Sequence, residues 1–478
     1  MKHLCTVFIF LIPAYIFSQN PAAEAYIRQF YDGYNTRDFK KMHATMGAPL
    51  KWIFSPGLLE KSFGAQYDQL GKSTIQNIKW GSSSARIMLR YQRDTTELDN
   101  FGVSFSKKGK IMGFNSKQPE FQYKKDQPIY TDHLTEKIDS IVRYKYLAAG
   151  FSGCVAVVDG DRVVYENCYG MANQETQAPL TPATRFDLAS CSKAFTAMSV
   201  MLLQEQGKLR ITDNAAQYLP ELAVYKGITI EHLLTHTSGI PDYMELLEKH
   251  WDTTRFATND DVLQLLSKHH PKKEFSPGTN YSYSNTGYVL LAIIAGRVSG
   301  QPFEVFLKES IFDPLGMVST RIYNTRRSAD EKLENTALGY IPDIQNHTLT
   351  LPDSLPDYSY VRYMDAITGD GVVNSNLKDM VIWDKALRTN QLASAETMAA
   401  IFTPYKLKNG ESTDYGYGWE VKEKEGNETL VFHSGSWPGY VSYVLRFKDR
   451  PVTIIALSNN EYLFISYLAH RIARLFNQ

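Results

Sequence analysis

Ile27, Phe30, Tyr31 and Tyr34 recur at i, i+3, i+4 and i+7, the pattern of an amphipathic helix, and a second helical stretch runs from Asp38 through Met46. The period then changes. Ala85-Arg-Ile-Met-Leu-Arg-Tyr, Gly102-Val-Ser-Phe-Ser and Lys110-Ile-Met-Gly-Phe alternate as half-buried strands do, so the chain up to Phe121 predicts a small α+β module with an antiparallel sheet. The polar stretch Gln122-Tyr-Lys-Lys-Asp-Gln-Pro reads as a linker, and a helix from Asp132 to Leu147 opens a second domain that runs to the C-terminus.

That second domain begins with Val155-Ala-Val-Val-Asp-Gly-Asp-Arg-Val-Val-Tyr165, a hairpin turning at Asp159-Gly160-Asp161. A mainly helical insertion follows, from Ser190 to about Leu387. Strands return at Tyr417-Gly-Trp-Glu-Val, Leu430-Val-Phe-His, Tyr440-Val-Ser-Tyr-Val-Leu-Arg-Phe and Val452-Thr-Ile-Ile-Ala-Leu-Ser, and a final helix spans Phe464 to Phe476. Sheet segments at both ends with helices between them predict an α/β domain: one antiparallel sheet carrying an inserted all-α domain, with a cleft at their junction.

The first residues, Met1-Lys-His and then the apolar run Leu4 to Phe17 followed by Ser18, have the form of a secretory signal peptide, residues 1–18. The expected division is therefore 1–18 leader, 19–124 accessory domain and 125–478 main domain, in a secreted or periplasmic protein with no membrane span in its mature form. With 51 basic and 51 acidic side chains in 478 residues, the chain has no electrostatic footprint for nucleic acid. Beyond the leader the cysteines are Cys154, Cys168 and Cys191, so at least one thiol is unpaired. Cys154 and Cys168 flank the hairpin, where a cross-strand disulfide and two small buried thiols are both compatible readings.

Candidate chemistry starts at Phe186-Asp-Leu-Ala-Ser190-Cys-Ser-Lys193-Ala-Phe-Thr. A hydroxyl and an amine three residues apart on a helix share a face, so Lys193 can take the proton of Ser190 and make it a nucleophile. The helix continues Ala194-Phe-Thr-Ala-Met-Ser-Val-Met-Leu-Leu203, apolar nearly all round, which would desolvate Lys193 and lower its pKa. Spacing alone does not single it out. Ser104 and Lys107 share it on a strand pattern that puts them on opposite faces, and Ser375 with Lys378 shares it where Ser375 or Asn376 caps a helix.

Two further segments carry candidate groups. In Tyr281-Ser-Tyr283-Ser-Asn285-Thr-Gly-Tyr288, which enters the apolar helix Val289 to Gly296, Tyr283 can relay a proton to a leaving group and Asn285 can hold a substrate carbonyl; the plainer reading is a tyrosine-rich turn packed on the helix. In Val431-Phe-His433-Ser434-Gly435-Ser436-Trp-Pro-Gly439, Gly435 allows a substrate to lie close along a strand edge, and the Ser436 N–H joins that of Ser190 as an oxyanion hole. His433 supplies a donor to a substrate carboxylate or polar group; the plainer reading is a histidine capping the strand. His232 and His236, at i and i+4 without a following glutamate, read as a packed helix rather than a metal site, and no metal or other cofactor is implied.

In this order the three segments resemble the serine β-lactamase and penicillin-binding-protein family, in its class C-like serine hydrolase branch. Leu233-Leu-Thr-His-Thr-Ser-Gly-Ile-Pro241, Phe275-Ser-Pro-Gly, Pro314-Leu-Gly-Met317, Gly369-Asp-Gly-Val-Val-Asn-Ser375 and Gly416-Tyr-Gly-Trp419 extend the resemblance from about Gln127 to the C-terminus. It implies an acylated Ser190, acid-base work shared by Lys193 and Tyr283, substrate orientation by Asn285, and a substrate-side strand at His433, Ser434, Gly435 and Ser436. One departure is plain: where many β-lactamases have Lys-Thr-Gly, this chain has His433-Ser434-Gly435, so a permanent cation gives way to a mostly neutral imidazole. Tyr31-Asp-Gly-Tyr-Asn-Thr-Arg-Asp-Phe39 in turn resembles the cone-shaped nuclear-transport-factor and ketosteroid-isomerase-like fold, which implies a small accessory domain.

These readings together predict a secreted serine hydrolase cleaving an ester, an amide or a D-amino-acid peptide bond, with a small-molecule or peptide substrate of cell-wall type. The alternatives are a β-lactamase or D,D-peptidase proper, a catalytically weak cell-wall-peptide binding protein, and a protein whose working part is the accessory domain.

Overall fold

The computed structural model describes residues 21–47, 51, 56–64, 67, 71–80, 84–92, 99–106, 108–115, 133–327, 333–343, 348–424, 428–461 and 465–477. The leader expected at 1–18 and the linker at 122–128 lie outside the described residues. The chain divides into two compact units, Met1–Pro119 and Glu120–Gln478.

In the first unit, helices α1 (Pro21–Thr36) and α2 (Phe39–Ala44) accompany a four-stranded antiparallel sheet, β1 (Ser73–Trp80), β2 (Ser84–Tyr91), β3 (Asp99–Phe105) and β4 (Ile111–Asn115), in that order. Asp38 caps α2 by accepting the Lys41 N–H. The apolar stripe of α1, Ile27, Phe30, Tyr31 and Tyr34, is buried with Ile87, Leu89, Val103 and Ile111 of the sheet. Strand β1 was missing from the sequence reading, and its register shows why. A bulge between Ile75 and Asn77 shifts the pairing, so Ile75 and Ile78, three apart, both pack on the core and no period of two survives.

The second unit is built on a six-stranded antiparallel sheet in the order β7-β8-β9-β10-β5-β6, where β5 is Gly153–Asp159, β6 Arg162–Tyr169, β7 Glu420–Lys424, β8 Glu428–Trp437, β9 Tyr440–Phe447 and β10 Val452–Ser458. The hairpin from the start of the domain thus pairs with the last strand from its end, Ile455 opposite Ala156. Both faces are covered. Val155, Val157, Ile454 and Ala456 face the core shared with α3 (Leu134–Ala149) and α8 (Ile465–Arg474), whereas Cys154, Ala156, Ile455 and Leu457 face the helical region. Two buried faces explain why β5 and β10 read as unbroken apolar runs.

Cys154 and Cys168 are direct partners across β5 and β6 and are joined by a disulfide, while Cys191 is unpaired and buried. The insertion is helical in the main, but it is not all-α. Phe186–Asp187, Val373–Ser375 and Arg321–Ile322 form a small three-stranded sheet beside the nucleophile segment. The strand expected at Tyr417 begins only at Glu420, because Gly418 adopts φ +77° and lies so close to the Lys193 carbonyl oxygen that a Cβ would sit 2.8 Å from it. Among the described residues, no single helix is long and apolar enough to cross a membrane.

Candidate active site

Helix α4 (Lys193–Glu205) starts at Lys193 itself, and Ser190 stands on the 3₁₀ turn Ala189–Ser192 that feeds it. On a 3₁₀ turn, positions i and i+3 eclipse, which brings the two side chains together more directly than the expected α-helix would. Ala189 holds the left-handed φ of +46°, secured by its N–H donating to Asp187 Oδ1 at 2.7 Å. Lys193 is wholly buried, and its Nζ lies 3.0 Å from Ser190 Oγ, 2.9 Å from Asn285 Oδ1 and 2.8 Å from the Asp370 carbonyl oxygen. Two of these partners are carbonyl oxygens and can only accept. The nitrogen's third position therefore faces Ser190 Oγ, either as an N–H donor or, once deprotonated, as a lone pair aimed at the hydroxyl proton.

Asn285 opens helix α7 (Asn285–Ser299). Asp242 holds it, accepting the Asn285 backbone N–H at 2.9 Å and its Nδ2–H at 3.1 Å, while also capping α6 (Tyr243–His250) through the Met244 N–H. Tyr243 donates its hydroxyl to the Asp370 carboxylate at 3.0 Å, which ties the loop carrying the Asp370 carbonyl to the same helix. Burial raises the Asp370 carboxyl above the usual range, partly offset by the Lys193 charge.

Tyr283 is 41% exposed, and the Lys193 ammonium sits over its ring, 5.0 Å from the centroid, rather than at its hydroxyl. Among the described residues its hydroxyl makes no hydrogen bond to Ser190 or Lys193, in contrast to the direct relay expected. The ring is set by His236, whose ring is tilted 34° to it with centroids 4.2 Å apart, and by Tyr415 behind His236. Contrary to the packed-helix expectation, His236 is not on a helix, because α5 (Ile230–Leu234) ends before it and His236 takes φ +58° in the turn beyond. It is buried and accepts the Ser284 N–H on Nδ1, and burial beside Lys193 holds its pKa well below the usual value. His232 instead completes the capping box of α5 with Thr229.

The strand β8 requires two corrections. His433 does not reach out to a substrate: it is buried, its Nδ1–H donates to the Ser434 carbonyl at 2.7 Å, and its Nε2 accepts the Tyr415 hydroxyl at 2.9 Å. Burial and the charge of Lys193 push its pKa down to about 3, so it is neutral. Gly435 makes room for the protein's own chain and not for a substrate. A Cβ there would lie 2.2 Å from the Leu188 carbonyl oxygen and 3.0 Å from the Ser190 nitrogen. Ser434 is exposed, and Ser436 lines the same cavity as Ser190.

The Ser436 N–H is free for that cavity by register. The two-residue turn Pro438–Gly439 closes on the Trp437–Tyr440 pair, so alternation makes Gly435–Ser442 hydrogen-bonded and Ser436–Val441 not. Its N–H thus points away from β9, to an edge that β7 leaves open because β7 pairs only as far as Phe432. The competing Ser-x-x-Lys pairs fall away: Ser375 bonds Thr320, Asn376 caps the following helix, Lys378 is exposed, Ser104 is exposed on β3, and Lys107 lies outside the described residues.

Asp242, Asp370, Asp187 and Tyr243 are not singled out by the sequence, although Asp187 stands inside Phe186-Asp-Leu-Ala-Ser190 and Asp370 inside Gly369-Asp-Gly; His236 is read there only as part of a packed helix. Among the described residues, no group of three or more His, Cys, Asp or Glu is placed to hold a metal ion.

A family model described as Beta-lactamase matches residues 140–475, and the chain belongs to that family, whose members are serine hydrolases. Among relatives, it is 42% identical over 311 residues to penicillin-binding protein 4* of Bacillus subtilis (strain 168), covering 65% of this chain and 68% of that one. It is 28% identical over 316 residues to a D-aminopeptidase of Brucella anthropi, covering 65% of this chain and 56% of the other. Among solved structures, the octameric penicillin-binding protein homologue from Pyrococcus abyssi gives a TM-score of 0.61 at 28% identity, covering 71% of this chain and 76% of that chain.

Proposed function

We propose that this protein hydrolyses an ester, an amide or a D-amino-acid-containing peptide bond through an acyl-enzyme on Ser190. The observation that carries the reading is the wholly buried Lys193 Nζ at 3.0 Å from Ser190 Oγ, with its other two positions spent on carbonyl oxygens. Lys193 in its amine form accepts the Ser190 proton as Oγ attacks the substrate carbonyl carbon. The resulting oxyanion is held by the backbone N–H groups of Ser190 and Ser436, and when it collapses the leaving group departs with a proton. Lys193 supplies that proton itself, and the half-exposed Tyr283 lines the mouth with its ring, not its hydroxyl, against the ammonium. Water then attacks the acyl carbon and gives a proton to the Lys193 amine, and as the acyl product leaves, Ser190 Oγ takes that proton from Lys193.

Neutral, internally bonded His433 offers no cation for a substrate carboxylate, which argues for weak turnover of β-lactams. The Cys154–Cys168 disulfide and the apolar N-terminal run support action outside the cytoplasm. The test is the intact mass of the protein after exposure to a fluorophosphonate. One adduct on the wild type and none on Ser190→Ala is expected; no adduct on folded wild type, or an adduct kept by Ser190→Ala, contradicts the reading.

A further inference from the structure

The cavity in front of Ser190 is small, about 250 Å³, below the ~300–1,000 Å³ of drug-sized sites. Its charged lining is all acidic: Asp187, Asp370 and Glu461, with no Lys, Arg or His among the lining residues. The nearby cations are already engaged. Lys193 is committed as described, and Arg326 pairs with Asp353 and Asp365.

The three carboxylates are not equivalent. Asp370 accepts the Tyr243 hydroxyl, and Glu461 accepts the Gly439 N–H and the Tyr358 hydroxyl. Asp187 is only 7% exposed, and it has one oxygen on the Ala189 N–H and no ion pair among the described residues. A carboxylate buried to that degree without an ion-pair partner is costly to the protein, and burial pushes its pKa up to about 7, the more distant charge of Arg326 offsetting only part of the rise. A bound cation would relieve that cost. The rings of Tyr360 and Trp437 on the same wall add faces that attract an ammonium group.

Resting on the acyl-enzyme reading above, we propose that the cleft selects acyl donors bearing an ammonium group on the acyl side, amino esters, amino amides or peptides with a free amine, and that Asp187 is the counter-charge that recognises it. Asp187 is then a specificity-determining residue.

The experiment compares kcat/KM at neutral pH for three esters of similar size: alanine ethyl ester in both enantiomers, ethyl isobutyrate, and the anionic monoethyl methylmalonate. The wild type is expected to prefer the ammonium ester over the neutral one by about 10- to 100-fold and to reject the anion. Asp187→Asn, whose amide oxygen still accepts the Ala189 N–H, is expected to collapse the ammonium-to-neutral ratio by a similar factor, whatever happens to the absolute rate. Glu461→Gln serves as the second variant and should lower the same ratio less. Equal wild-type rates on ammonium and neutral esters, or an unchanged ratio in Asp187→Asn, would overturn the proposal while leaving the Ser190 reading intact. No turnover of any ester together with no fluorophosphonate adduct would overturn both.

Discussion

Asp242 receives both the backbone N–H and the side-chain Nδ2–H of Asn285 on one carboxylate oxygen, at 2.9 and 3.1 Å. With Nδ2 spent there, Asn285 presents its oxygen to Lys193, so a residue that touches neither Ser190 nor Lys193 sets where the buried amine sits. Asp242→Ala should lower kcat about 100-fold, the scale of an ångström-sized misplacement, and Asp242→Asn should lower it less because an amide oxygen still accepts. Loss of the α6 cap adds a stability cost of about 1 kcal/mol. Single-turnover kinetics and thermal unfolding of both variants check this; an unaltered kcat in Asp242→Ala would remove Asp242 from any positioning role.

Lys193 is best separated from its packing by Lys193→Met, which keeps the length and apolar stem. General-base catalysis typically contributes about 10²–10⁴-fold, so acylation of Ser190 by an activated ester should slow by that order. The Asn285 and Asp370 carbonyl oxygens lose a donor in the interior, at about 1–3 kcal/mol for each left unsatisfied. Burst-phase kinetics on folded Lys193→Met checks the first effect and denaturant unfolding the second. Full acylation at the wild-type rate would show that Lys193 is not the base.

Gly435→Ala places a methyl group against backbone, 2.2 Å from the Leu188 carbonyl oxygen, and backbone cannot rotate aside. Either β8 or the turn bearing Ser190 must move, which costs roughly 1–3 kcal/mol as overpacking does and pulls the Ser190 and Ser436 N–H groups apart. A lowered Tm together with loss of ester turnover is expected. A variant as stable and as active as the wild type would mean the strand and the turn are not in the contact described here.

Ser190 with Lys193, and Tyr283 with Asn285, were legible because each pair lies within one turn of chain, where spacing fixes proximity. Asp242 and Asp370 were not, since their partners stand 43 and 177 residues away and only the fold joins them. His433 was misread for a related reason. Its sequence neighbours do not reveal that Tyr415 occupies its Nε2, so a buried, saturated imidazole looked like a free donor. The sheet of the second unit was readable from apolar runs, whereas β1 was hidden by its bulge.

His433 also makes a prediction about acid stability. Its pKa in the folded protein is about 3 against an ordinary 6.5, because burial and the Lys193 charge disfavour the imidazolium. Between those values the unfolded chain binds a proton that the folded one refuses, so this group's contribution is fully present above 6.5 and is lost as pH falls toward 3. The slope approaches ~1.4 kcal/mol per pH unit for one group. His236, held low for the same reasons, adds in the same direction. Carboxylates common to both proteins cancel when wild type is compared with His433→Gln, so the wild type's stability relative to the variant should decline steadily with acidification through that window. Urea unfolding at a series of pH values measures it. A difference that stays flat would mean that His433 is already protonated in the fold, and the occupied, neutral strand-end described for β8 would then be wrong.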